Sequence, residues 1–212
     1  MTPPLAEPSV PAGGAPRVVL ASRNQKKLVE LRRVLTPLVP DLEVLGLDDV
    51  APFDEPAETE PTFEGNALIK ARACFAATGL PSLADDSGIC VDALNGMPGV
   101  LSARWSGAGD DANNALLLSQ LADVPDERRG AAFVAAVALV WSGGELVETR
   151  RMPGRILRAE RGEGGFGYDP LFAAEGNEVS NAELTPEQKD AISHRGQALR
   201  ALAPHIVAAL RA

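Results

Sequence analysis

Histidine and cysteine are scarce in this 212-residue chain, with two of each, and the scarcity excludes whole classes of site. Cys74 and Cys90 show no CxxC spacing, so two reduced, partly buried thiols in a cytoplasmic protein are expected. Two histidines cannot build a multi-histidine metal site. No uninterrupted apolar run reaches membrane-spanning length; Ala131–Trp141 is long enough only for a strand. The N-terminus has no basic start followed by an apolar core, so no secretion signal is expected. Positive charge is also in deficit: 20 Lys and Arg against 29 Asp and Glu give a net charge of −9. That balance disfavours broad nucleic-acid binding but leaves room for a local basic pocket that takes a small polyphosphate. The phosphate loop GxxxxGK[ST] is absent.

What remains is a globular composition, 45% hydrophobic and 23% charged, with enough chain for one sizeable core or two lobes sharing a sheet. Residues 1–16 are rich in Pro, Ala and Gly and read as a disordered leader, which leaves 17–212 as a single two-lobed domain. Arg17–Ala21 is an apolar strand. Leu28, Leu31 and Leu35 then recur at helical spacing over Asn24–Leu35, and Pro37 ends the helix. Leu42–Leu45 is a second strand candidate, Asp48–Pro61 an acidic loop and Phe63–Ala77 a helix stopped at Gly79. In that helix Ala67, Lys70, Ala71 and Cys74 share a spacing. Pro81–Ala84 reads as a short strand ending in Asp85-Asp86-Ser87-Gly88, with Ile89–Val91 continuing as strand or turn.

Further on, Asn95–Gly109 reads as a loop and Asp110–Leu121 as a helix with acidic residues at its positive end. Ala131–Trp141 is the strongest strand and pairs through a Gly143-Gly144 turn with Leu146–Met152. Glu160–Gly167 is a loop, and Asp169–Phe172 leads into another short strand. Thr185-Pro186-Glu187-Gln188 is a helix start with a capping box, and Ser193 caps a second segment running toward Leu210. The fold class is α/β: a mixed sheet flanked by helices, with two lobes around a cleft.

Four polar motifs stand on this scaffold. Ser22-Arg23-Asn24-Gln25-Lys26-Lys27 lies where a strand hands over to a helix, where amides, dipole and lysines favour an anion; a solvated basic helix end is the alternative. Asp85-Asp86 places two carboxylates side by side at a sheet edge, a cost that a hard cation such as Mg²⁺ offsets. Alternation along a strand points the two apart, so that one can reach a metal while the other holds local structure; an Asx-type turn is the alternative. Gly165-Phe166-Gly167-Tyr168-Asp169 sets two aromatics among glycines, fitted either to stack on a base or to form a tight turn on the core. Lys189, His194 and Arg195 can neutralise phosphate or donate to a base carbonyl, or can be ordinary helix-end residues. Arg104 is a further candidate for the cleft rim, and Glu58, in its acidic run, is not singled out by pattern.

Taken together these motifs resemble the non-canonical purine nucleoside triphosphate pyrophosphatases, the Ham1-like inosine/xanthosine triphosphatase family. The resemblance runs from about Arg17 to Leu210 and includes Thr62-Phe63-Glu64-Gly65-Asn66-Ala67 as a fifth segment in order. It implies Mg²⁺-dependent hydrolysis of ITP, dITP or XTP between the α and β phosphates by a cytoplasmic homodimer that cleanses the nucleotide pool. It makes Asp86 the catalytic acceptor and, with Glu58, a metal ligand. Ser22, Arg23, Asn24, Gln25, Lys26, Lys27 and Ser87 fall to the phosphates or sugar. Phe166, Gly167, Tyr168 and Asp169 fall to the purine, and Lys189, His194 and Arg195 complete the pocket. Two positions depart from the family pattern: Arg23 replaces a small glycine, and Gly65 stands where a second glutamate often precedes the asparagine. A Maf-like pyrimidine or modified-nucleotide pyrophosphatase is the alternative, disfavoured by the complete Phe166–Asp169 and Ser193–Arg195 segments.

Overall fold

The apolar run predicted as the strongest strand is β4, Gly130–Trp141, buried along nearly its whole length. The computed structural model describes residues 15–39 and 41–210; residues 1–14 of the expected leader lie outside them. Around β4 are β1 (Arg17–Leu20), β2 (Glu43–Leu45), β3 (Ser82–Val91), β5 (Gly144–Ile156) and β6 (Phe172–Ala174). They form one six-stranded sheet in the order β2-β1-β3-β4-β5-β6. β1 pairs parallel with β2 and β3, and the β3-β4-β5-β6 portion is antiparallel. The expected mixed sheet with flanking helices is therefore present.

Helices α1 (Gln25–Leu35) and α5 (His194–Ala209) cover one face at the β1 end, packing Leu28, Leu31, Leu35, Leu199 and Leu202 on Val18, Leu83 and Val137. Helix α2 (Phe63–Thr78) covers the other face with Phe63, Ala67, Ala71 and Cys74. Helix α3 (Asp110–Gln120) packs Leu117 with Ile89, Phe133, Met152 and Phe172 farther along the strands. Short α4 (Pro186–Ile192) precedes α5 and starts with the predicted Thr185/Gln188 capping box. β3 and β4 contribute to all three apolar clusters of the core. Cys74 and Cys90 are free thiols. No helix among the described residues is long and apolar enough to cross a membrane.

One local expectation is corrected. β3 is a continuous strand of 10 residues, and Asp85-Asp86 is neither a turn nor the end of a short strand. β3 is also interior in the sheet order rather than an edge. However, β1 pairs only with Ser82 and Leu83, while β4 pairs with β3 throughout. Among the described residues the β1-facing side of β3 pairs with no strand from Ala84 onward, apart from an isolated bridge between Cys90 and Pro98, and the site is built there. A 3-10 turn, Gly99–Arg104, also interrupts the segment read as a loop.

Candidate active site

The β1–α1 connection forms one wall of a cleft of about 310 Å³. Asn24 is the N-cap of α1: its Oδ1 accepts from Lys26 N at 3.0 Å and Lys27 N at 3.2 Å. Its side-chain oxygen thus occupies the Lys26 and Lys27 amides, and the helix dipole with the Gln25 amide favours an anion. Ser22 Oγ accepts from Asn24 N at 3.2 Å. Arg23, exposed at the cleft mouth, pairs with Glu55 and approaches Asp48 at 3.9 Å. Gln25 turns to Asp48 at 3.2 Å.

Strand alternation sends Asp85 and Asp86 to opposite faces, and each face supplies different partners. Asp85, 1% exposed, points toward α1 and α5. Lys27 Nζ lies 2.6 Å from its Oδ2, and Arg195 Nε and Nη2 donate to its two oxygens at 3.1 and 3.2 Å. Ser87, back on the same face, takes Arg195 Nη2 at 2.8 Å. Burial alone raises a carboxyl pKa, but Arg195 and Lys27 overcome it and hold Asp85 far below the ordinary range. The lattice continues through Glu30, which pairs with Arg195 and, at 3.1 Å, with Lys189. Lys189 Nζ in turn lies 2.7 Å from Asp169 Oδ2. Three cations and three carboxylates therefore alternate in one largely buried chain.

Asp86 points toward α2. Lys70 Nζ there donates to Glu58 Oε1 at 2.7 Å and to Asp85 O at 3.1 Å, and lies 3.7 Å from Asp86 Oδ1. Glu58 Oε2 also takes Arg104 at 3.1 Å. Asp86 Oδ2 is buried without a hydrogen-bond partner. Burial pushes the Asp86 carboxyl up; Lys70 opposes that rise and Glu58 adds to it. Two neighbouring carboxylates, one with an orphaned oxygen, fit a hard divalent cation whose remaining ligands are water and phosphate oxygens. Among the described residues no cluster of three or more acidic, His or Cys side chains offers a fuller protein cage.

The cleft wall also carries Phe166, between two left-handed glycines, Gly165 (φ 72) and Gly167 (φ 61). Lys189 Nζ lies 4.8 Å from the ring centroid, and Lys26 Nζ and Arg195 Cζ each lie at 5.7 Å. His194 stacks on Phe133 at 5.0 Å with a 9° interplanar angle. Burial first, and then Arg195, hold its imidazole well below the usual value, so it is neutral near pH 7. Its Nδ1 is buried without a partner.

The structure brings Ser22, Arg23, Asn24, Lys27, Glu58, Ser87, Phe166, Gly167, Tyr168, Asp169, Lys189, His194 and Arg195 to the cleft wall. Gln25, Lys26 and Asp86 are not on that wall; Asp86 is 6% exposed. Two wall residues face inward chemically. Tyr168 is buried, with its hydroxyl on Ser102 O at 2.9 Å. Asp169 is tied to Lys189, to Phe166 N at 2.9 Å and to Asn181 at 3.3 Å, so its carboxylate braces the loop. Sequence reasoning missed Lys70 and Glu30. The available signal was position: Lys70 shares the spacing of buried Ala67, Ala71 and Cys74, and Glu30 lies one turn before buried Val34.

The chain is similar in fold to a solved HAM1 protein from Coxiella burnetii. That structure superposes with a TM-score of 0.81 at 38% identity, covering 91% of this chain and 99% of that one. The fold is therefore that of the Ham1 proteins. A model described as the Ham1 family matches residues 18–205, and the chain belongs to that family. It is also 65% identical over 196 residues to a Nocardia farcinica protein named dITP/XTP pyrophosphatase, covering 91% of this chain and 95% of that protein. A crystal structure titled nucleoside-triphosphatase / dITP/XTP pyrophosphatase from Mycobacterium abscessus is 57% identical, with a TM-score of 0.72 over 89% of this chain and 99% of that one. The family resemblance carried by the motifs is borne out.

Proposed function

We propose that this chain hydrolyses non-canonical purine nucleoside triphosphates (ITP, dITP or XTP) to the monophosphate and pyrophosphate, with Mg²⁺ as cofactor. The observation that carries the reading is one cleft that gathers cations, carboxylates and an aromatic ring. Its wall combines a helix start carrying Arg23 and Lys27, Ser87, the Phe166 ring, neutral His194 and the Glu58 carboxylate, and Lys70 links Glu58 to buried Asp86. The names of the 57–65% identical relatives support the same activity.

In this reading Lys27 and the positive end of the α1 dipole hold the β and γ phosphates and stabilise charge on the leaving pyrophosphate. Asp86 and Glu58 hold the metal, which when bound neutralises polyphosphate charge and polarises the phosphoryl centre. Asp86 Oδ2, buried and unpartnered, is the atom assigned to take a proton from the attacking water. The Phe166 ring stacks on the purine.

Arg195 has a protein partner on each of its three nitrogens, so it anchors the pocket and leaves His194 to donate to a 6-keto oxygen. An adenine amino group would leave that donor unsatisfied, at about 1–3 kcal/mol. The cytoplasmic homodimer belongs to the same proposal, and light scattering tests the dimer. The activity is tested by initial rates on ITP, XTP, GTP, ATP and dTTP with Mg²⁺ or EDTA. ITP and XTP should exceed ATP by about tenfold or more, and EDTA should abolish turnover. Preference for ATP or dTTP would overturn the reading.

A further inference from the structure

The segment that carries Phe166 has no strand partner, and its two left-handed glycines would leave it loose if nothing held it. Among the described residues the Phe166 backbone bonds only to Asp169, three residues on. The outside restraints on Gly167 both come from the first turns of α3. Asp110 Oδ2 accepts from Gly167 N at 3.0 Å, and Asn114 Nδ2 donates to Gly167 O at 3.2 Å. Asn114 is 3% exposed, one turn before fully buried Leu117, and its Oδ1 has no partner. A buried amide with a half-satisfied head destabilises a helix face that an apolar side chain would stabilise. Its one hydrogen bond is the one that fixes Gly167.

The adjacent Asn113 holds the neighbouring cleft wall in the same way. Its Oδ1 takes Ser106 N and Oγ, each at 2.7 Å, and its Nδ2 reaches Ala103 O at 3.3 Å. Tyr168 OH on Ser102 O ties the two walls together.

We infer that the start of α3 frames the nucleobase end of the cleft, and that Asn114 and Asp110 are positioning residues that aim Phe166 by clamping both sides of Gly167. The clamp is a property of the fold; its effect on ligands rests on the proposed nucleotide reading.

Hydrogen–deuterium exchange over residues 160–172 tests the clamp. Calorimetric binding of IMP and of pyrophosphate tests its consequence. Asn114→Ala and Asp110→Ala should each speed exchange in that segment, with Asn114→Ala the stronger because its bond is better shielded from water. Asp110→Asn, whose amide oxygen still accepts from Gly167 N, should behave as wild type. IMP binding should weaken by about tenfold in Asn114→Ala, while pyrophosphate binding is unchanged. Unaltered exchange in both alanine variants overturns the clamp whatever the ligand. Faster exchange with IMP and pyrophosphate weakened equally overturns the positioning role. Wild-type protein that binds no IMP sinks the nucleotide reading, and the exchange data then judge the clamp alone.

Discussion

Replacing Asp85 with Asn preserves shape and removes one charge from the middle of the buried lattice. Its two oxygens serve Lys27 at 2.6 Å, Arg195 at 3.1 and 3.2 Å and Ser87 at 3.1 Å. After Asp85→Asn, Arg195 keeps only Glu30 as a charged partner and Lys27 keeps none, each facing an amide that must turn one NH₂ toward a cation. Breaking a buried pair by removing one partner costs about 3–5 kcal/mol. At roughly 2–4 °C per kcal/mol for a chain of this size, the melting temperature should fall by about 6–20 °C. Circular-dichroism melts at pH 7 and urea unfolding read this directly, with a lower midpoint and an unchanged m-value.

The pH dependence has a definite sign. The Asp85 pKa is depressed in the folded state. Its contribution is therefore fully present above the unfolded carboxyl value and is lost as pH falls toward the folded one. The gap between wild type and variant should hold from pH 7 to about 5 and narrow below about pH 4. A variant melting within about 2 °C of wild type, or a gap that grows in acid, would refute the lattice as a stabilising element.

Three further outcomes follow from the geometry. Phe166→Ala should raise KM for ITP while the melting temperature stays near wild type; unchanged kinetics would make the ring a packing element only. A Cβ at Gly65 would sit 2.6 Å from Glu60 Cβ and 2.7 Å from its Cγ, so Gly65→Ala should destabilise by about 1–3 kcal/mol. The double change Gly65→Ala with Glu60→Gly should recover that loss, because the obstruction is removed and Ala is the better helix former. Chemical denaturation of the single and double variants checks both statements.

What could be read in advance was local. The Leu28, Leu31 and Leu35 spacing, the Thr185/Gln188 box and the stop at Gly79 are each set within a few residues, and each forms. β3 was harder because Asp-Asp-Ser-Gly has turn chemistry. Its strand conformation is held by pairing with β4 and by cations 58, 15 and 110 residues away in sequence from Asp85. The division of labour between Asp85 and Asp86 was legible from strand alternation, but the identity of the partners on each face was not. Lys70 and Glu30 escaped because charges on amphipathic helices are usually solvated. Here each is turned inward by its register with small or apolar neighbours. Asn114 escaped for a similar reason, since nothing in the α3 sequence says that Gly167 will lie beside it.

The central claim is the site of bond cleavage. The most direct measurement is product-resolved hydrolysis of ITP with Mg²⁺, by anion-exchange separation of IMP, IDP, phosphate and pyrophosphate, run in parallel on wild type and Asp86→Asn. The account predicts IMP and pyrophosphate in equal amounts from wild type and a folded Asp86→Asn protein that has lost most turnover. Release of single phosphate with IDP, or near-wild-type turnover by the variant, would contradict it.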